Sequence, residues 1–156
     1  MISKSTRLFG LIHDDPNDVW IPKLYNYVLG YNGLDAAYLS FLARADTFTR
    51  IVEGISRNGT TEWVHVTEAL SSRASAFARS GTAKVDRLDF GPDGVRATHS
   101  GLAGDLVGVS ERARRELSAA FGTELEWPSD VARAVSEPSY RPCKLTHDDF
   151  GVRRDR

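Results

Sequence analysis

Cysteine is almost absent from this chain: Cys143 stands alone. One thiol makes neither an internal disulfide framework nor a cysteine zinc cage. There is no apolar run of the roughly 18 residues that a membrane-spanning helix needs. No sign of charge dominates, with 20 Lys and Arg against 21 Asp and Glu. That balance argues against a general nucleic-acid binder. Met1 to Arg7 is polar and leads straight into a strand-like run, which does not read as a signal peptide. Gly101, Gly104 and Gly108 lack the G-x-G-x-x-G spacing of a dinucleotide loop, and no G-x-S-x-G elbow occurs. His13-Asp14-Asp15 and His147-Asp148-Asp149 hold ligand-type atoms, but in no metal-site spacing, so no metal is expected. What is present is ordinary globular material: 156 residues, 41% hydrophobic and 26% charged, enough to bury a real core. These counts suggest a cytoplasmic domain.

The pattern along the chain alternates strands and helices. Leu8 to Ile12 is an apolar run closed by a polar loop, and Leu24 and Val28 then share a helical face. Ala36 to Phe41 reads as a strand. Phe48, Ile51, Val52 and Ile55 recur at helical spacing, with Asp46 or Thr47 as cap and Asn58-Gly59 as stop. Trp63 to Thr67 is strand-like. Ser71 to Arg79 reads as a helix stopped by Gly81. Residues 84 to 99 read as a hairpin about Gly91-Pro92-Asp93-Gly94. A long helix from Leu102 to Phe121 sets Leu106, Val109, Ala113 and Leu117 on one side, with Glu111, Arg112, Arg114, Arg115 and Glu116 facing water. A short helix follows at Ser129 to Val135. The expected architecture is an α/β three-layer sandwich with a mostly parallel open sheet and helices on both faces. Residues 1–136 form the expected domain, and 137–156 an extended or mobile tail.

Arg7-Leu8-Phe9-Gly10-Leu11-Ile12 resembles the first strand of the shikimate dehydrogenases. Pro22, Asn26 and Gly33-Leu34-Asp35-Ala36-Ala37-Tyr38 are similar to that family's Ser-x-Ser-Pro-x-x-x-Asn and Gly-Leu-Asp-x-x-Tyr segments. Trp63 to Thr67 resembles its Asn-Val-Thr-x-Pro-x-Lys strand, and Gly94 to Gly101 its Asn-Thr-Asp-Gly strand end. The resemblance covers about Thr6 to Leu106 and implies the substrate-binding domain of that family. It also brings out departures. The family's two carboxylate-binding serines correspond to Val19 and Ile21, its catalytic lysine to Ser71, and its catalytic aspartate to Ser100. Its pocket asparagines correspond to His65 and Thr98. Three residues are inserted between Gly10 and Pro22. The segment after Phe121 is short for a Rossmann domain, whose βαβ units take about 30 residues each. The expectation is therefore a degenerate, standalone domain with no redox cofactor.

Ligands of open α/β sheets bind beyond the carboxyl ends of the strands. Three such ends carry polar groups here: His13-Asp14-Asp15, His65/Thr67/Glu68 and His99/Ser100. Imidazoles titrate near neutral pH, so His65, Glu68 and His99 are the proton-handling candidates. Asp18, Trp20, Tyr25, Thr67 and Ser100 are the candidate contacts to a partly apolar small molecule. A mid-strand histidine also serves simply to bond a neighbour, and apolar Val19-Trp20-Ile21 also suits a packed loop. Two functions remain open from sequence. One is cofactor-independent isomerase, cyclase or lyase chemistry. The other is a non-catalytic module that senses a metabolite or binds a partner, as a homodimer or with a separate protein.

Overall fold

The computed structural model describes residues 2–15, 20–82, 84–99 and 106–136. The proposed tail at 137–156 lies outside the described residues. The chain divides into two compact units. The first comprises residues 1–18 and 35–101, the second 19–34 and 102–156.

The first unit is built on a five-stranded sheet. Its strands are β1 (Arg7–His13), β2 (Ala36–Leu42), β3 (Thr61–Val66), β4 (Arg87–Gly91) and β5 (Gly94–Thr98), in the order β2-β1-β3-β4-β5. β1 pairs in parallel with β2 and β3, while β4 pairs antiparallel with β3 and β5. The sheet is thus mixed. Its antiparallel half is the expected hairpin, whose two-residue turn at Pro92-Asp93 fixes the register Gly91↔Gly94 through Arg87↔Thr98.

Side chains alternate across a strand, so this register assigns two faces. One carries Ile12, Val64, Val66 and Leu88. It packs with Phe48, Val52 and Ile55 of α2 (Phe48–Asn58) and Ala74 of α3 (Ser71–Phe77). Gly10 lies on this face because nothing larger fits: a Cβ there would sit 2.7 Å from the Leu39 carbonyl oxygen and 2.9 Å from the Phe41 ring. The other face carries Phe9, Leu11, Tyr38, Trp63 and His65, all buried.

Helix ends follow local chemistry. Gly59, just past α2, takes the left-handed conformation at φ 70. Thr47 makes no side-chain cap there. Its hydroxyl instead bonds Arg44, accepting from its N–H at 2.9 Å and donating to its carbonyl. α3 stops at Phe77, and Arg79, not Gly81, turns left-handed at φ 53. The Ser80 N–H closes that turn on the Ser75 carbonyl at 2.9 Å.

The second unit holds α1 (Trp20–Tyr31), α4 (Leu106–Phe121) and α5 (Ser129–Ser136). Leu24, Val28, Val109, Ala113, Leu117 and Val131 are buried. Arg112 and Glu116 are buried as well, contrary to the expectation that they face water. They are one turn apart, 3.7 Å from each other, and both reach the Tyr25 hydroxyl at 3.2 Å. Burial of the charges is tolerated because each is paired and hydrogen-bonded. None of the described helices is long and apolar enough to cross a membrane.

Candidate functional site

β5 runs parallel to β3, because both are antiparallel to β4. The carboxyl ends of β1, β2, β3 and β5 therefore share one edge of the sheet. His13, Leu42, Val66-Thr67 and Thr98-His99 mark that rim.

His13 closes β1 and is buried. Its Nδ1 lies 2.6 Å from the Asp15 carbonyl oxygen and its Nε2 2.5 Å from the Ser40 hydroxyl. Both ring nitrogens are thus engaged, Nδ1 with the loop after β1 and Nε2 with β2. Ser71, which the sequence resemblance sets against the family's lysine, is a backbone clasp: its hydroxyl donates to the Val85 carbonyl at 2.7 Å and accepts from the Val85 N–H at 2.8 Å.

Thr67 follows β3 in extended conformation. Its N–H donates to the Ile12 carbonyl at 3.1 Å, and its own carbonyl accepts from Leu70 at 3.0 Å. Its hydroxyl is buried and has no hydrogen-bond partner among the described residues. A buried hydroxyl left unbonded costs about 1–3 kcal/mol. Glu68 opens a one-turn 3-10 helix, Glu68–Leu70, and is exposed beside it.

His65 is only 1% exposed. Its Nδ1 meets the Tyr38 hydroxyl at 2.7 Å, and its ring packs edge-on to Trp63 at 4.8 Å. Arg87 lies over the Trp63 ring, 4.4 Å from its centre. His99 is half exposed, with Nδ1 3.6 Å from the Asp86 carboxylate. Extending the hairpin register places Asp86 opposite His99 and beside Val66, on the face of the sheet opposite His65. The structure thus does not bring the two imidazoles together. It gives His99 a different neighbour, Asp86. That pairing was readable from the Pro92-Asp93 turn, since a two-residue hairpin turn pairs residues symmetrically about itself.

Trp20 and Tyr25 belong to the second unit. Trp20 begins α1 and is partly buried. Tyr25 is fully buried, and its hydroxyl is occupied by Arg112 and Glu116. Burial pushes its phenol well above the usual tyrosine range. Tyr25 thus helps hold the α1 and α4 side chains together within the second unit. Asp18 and Ser100 lie outside the described residues.

No protein-family model matches the sequence, and no curated protein is similar to it. Solved structures are similar. The shikimate dehydrogenase of Aquifex aeolicus aligns at 22% identity and TM-score 0.54 over 62% of this chain and 38% of its own. The shikimate 5-dehydrogenase of Listeria monocytogenes, in complex with shikimate and NAD, aligns at 16% and 0.52 over 79% of this chain and 41% of its own. That of Thermus thermophilus, in complex with NADP(H) and shikimate, aligns at 15% and 0.53 over 75% and 43%. The likeness is one of fold, and the chain spans about two fifths of the length of these structures.

Proposed function

We propose that this chain binds a small, partly apolar organic molecule at the carboxyl rim of its sheet, with the Thr67 hydroxyl as its central polar contact. The shikimate dehydrogenase-like fold supports this reading, because two of the similar structures are described in complex with shikimate. The rim of an open α/β sheet is where ligands of such folds bind. The buried, unbonded Thr67 hydroxyl carries the proposal, since a ligand oxygen or nitrogen there offsets its desolvation.

The ligand differs from shikimate. Ser71 and Ser100 replace the family's lysine and aspartate, and a serine hydroxyl does not titrate near neutral pH. Cofactor-independent proton transfer on the bound ligand falls to exposed Glu68, the neighbour of Thr67 in the chain, while His99 and Asp86 lie on the other face of the sheet. His65 is withdrawn into packing by its bond to Tyr38.

One observation favours a second reading, a non-catalytic sensing or partner-binding module: the two histidines lie on opposite faces, so no two-imidazole arrangement is assembled. Titration of a panel of cyclic alcohols and carboxylic acids, shikimate included, against wild type, Thr67→Val and Thr67→Ser tests the proposal. Binding about tenfold weaker in the valine variant and kept in the serine variant is expected. Equal binding by the valine variant contradicts it. Any turnover of the bound ligand that is lost in Glu68→Gln with binding retained marks catalysis; unchanged behaviour marks the module.

A further inference from the structure

A cleft of about 590 Å³ opens between the loop after β1, the end of β2 and the first turns of α2, lined by Asp14, Leu42, Arg44, Thr47, Arg50 and Ile51. It lies within the first unit and uses none of the residues assigned above to the Thr67 ligand. Its chemistry is two-part. The apolar part is Leu42, which is 54% exposed, together with partly buried Ile51. The cationic part is Arg44 and Arg50. The Arg50 side chain makes no hydrogen bond or salt bridge among the described residues, and it acts on Asp46 through space. Arg44 pairs with Asp46 at 3.2 Å, but both side chains are about three-quarters exposed, and such pairs hold weakly. An incoming anion can therefore recruit both guanidinium groups without breaking a strong contact. The acids that face them are Asp14 on the wall and Asp46 beside it. No acidic residue stands in the first turn of α2 to offset its positive end.

We infer that this cleft binds an oxyanion carried on an apolar skeleton. A carboxylate or phosphate is gripped by the forked donors of Arg44 and Arg50, and its hydrocarbon lies against Leu42 and Ile51. Both guanidinium groups are exposed, so substituting them leaves the core intact. The inference stands apart from the Thr67 reading and survives its failure.

The test is amide-shift mapping of the full chain titrated with hexanoate and with hexyl phosphate. Hexanol serves as the neutral counterpart and inorganic phosphate as the head group alone. Saturable shifts confined to residues 42–51 and the neighbours of Asp14 are expected with at least one of the two amphiphilic anions. The affinity should fall about tenfold in Arg50→Gln and further in the Arg44→Gln/Arg50→Gln pair. Hexanol and inorganic phosphate should each bind more weakly than the better anion, and comparing the two anions identifies the head group. Anions that bind no tighter than hexanol, an unchanged affinity in Arg50→Gln, or shifts centred elsewhere overturn the inference.

Discussion

The hydroxyl of Tyr38 on β2 lies 2.7 Å from Nδ1 of His65 on β3, reaching past the intervening strand β1. The bond ties both flanks of the parallel half of the sheet together beneath the Phe9 and Trp63 rings, which themselves sit 4.7 Å apart. His65 is therefore expected to act on stability. Tyr38→Phe should lose about 1 kcal/mol, the usual net value of one hydrogen bond. His65→Ala should lose about 2–4 kcal/mol, since it also empties a packed site. Urea unfolding of both variants measures this. A His65→Ala protein as stable as wild type contradicts the structural role.

Gly10 is required by close approach. The Leu39 carbonyl and the Phe41 ring leave no room for a methyl group. Gly10→Ala should destabilise the chain by about 1–3 kcal/mol through forced strand displacement, even though alanine suits a strand better than glycine. Thermal unfolding checks it, with Gly54→Ala as control, where a Cβ meets nothing within 4 Å. There the change should be neutral or stabilising.

At the acidic end, Asp35 accepts hydrogen bonds from the Thr6 hydroxyl at 2.7 Å and the Ser5 hydroxyl at 2.8 Å. These bonds, Thr6 first, hold its carboxyl below the usual aspartate range. A depressed folded value stabilises the protein above the unfolded value and loses that contribution as pH falls through the folded one. Thr6→Ala should therefore narrow the stability gap between neutral and acid pH. A stability profile measured downward from neutral pH, with Asp35→Asn as reference, reads this directly. Identical slopes for wild type and Thr6→Ala rule the account out.

At the alkaline end the sign reverses. Burial, before the opposed effects of Arg112 and Glu116, raises the Tyr25 phenol. Its contribution is complete below the ordinary tyrosine value of about 10 and falls as pH rises above it. Wild type should lose stability more steeply in alkali than Tyr25→Phe. At neutral pH the phenylalanine variant should be less stable by about 1–3 kcal/mol, because the lost bonds go to charged partners. Parallel alkaline profiles contradict this.

Most of the fold was legible because each element carries its own local signal. The 48–55 apolar spacing, the Asn58-Gly59 stop and the Pro92-Asp93 hairpin all act within a few residues of themselves. The site was less legible because it depends on which face each side chain takes. His65 and His99 look alike in the chain, yet strand parity and the hairpin register send them to opposite faces. Arg112 and Glu116 read as solvated charges, and their shared contact with the Tyr25 hydroxyl, far away in the chain, gives no signal in the sequence. The unbonded state of Thr67 is invisible in sequence altogether, since it is a property of the groups that fail to reach it.

The measurement that bears most directly on the central claim is a crystallographic soak of the chain with small oxygen-bearing cyclic fragments. A fragment oxygen within hydrogen-bond reach of Thr67 Oγ1, at the carboxyl rim of the sheet, is the predicted result. Fragments that bind only elsewhere, or a Thr67 hydroxyl already satisfied by a group of the chain itself, contradict it.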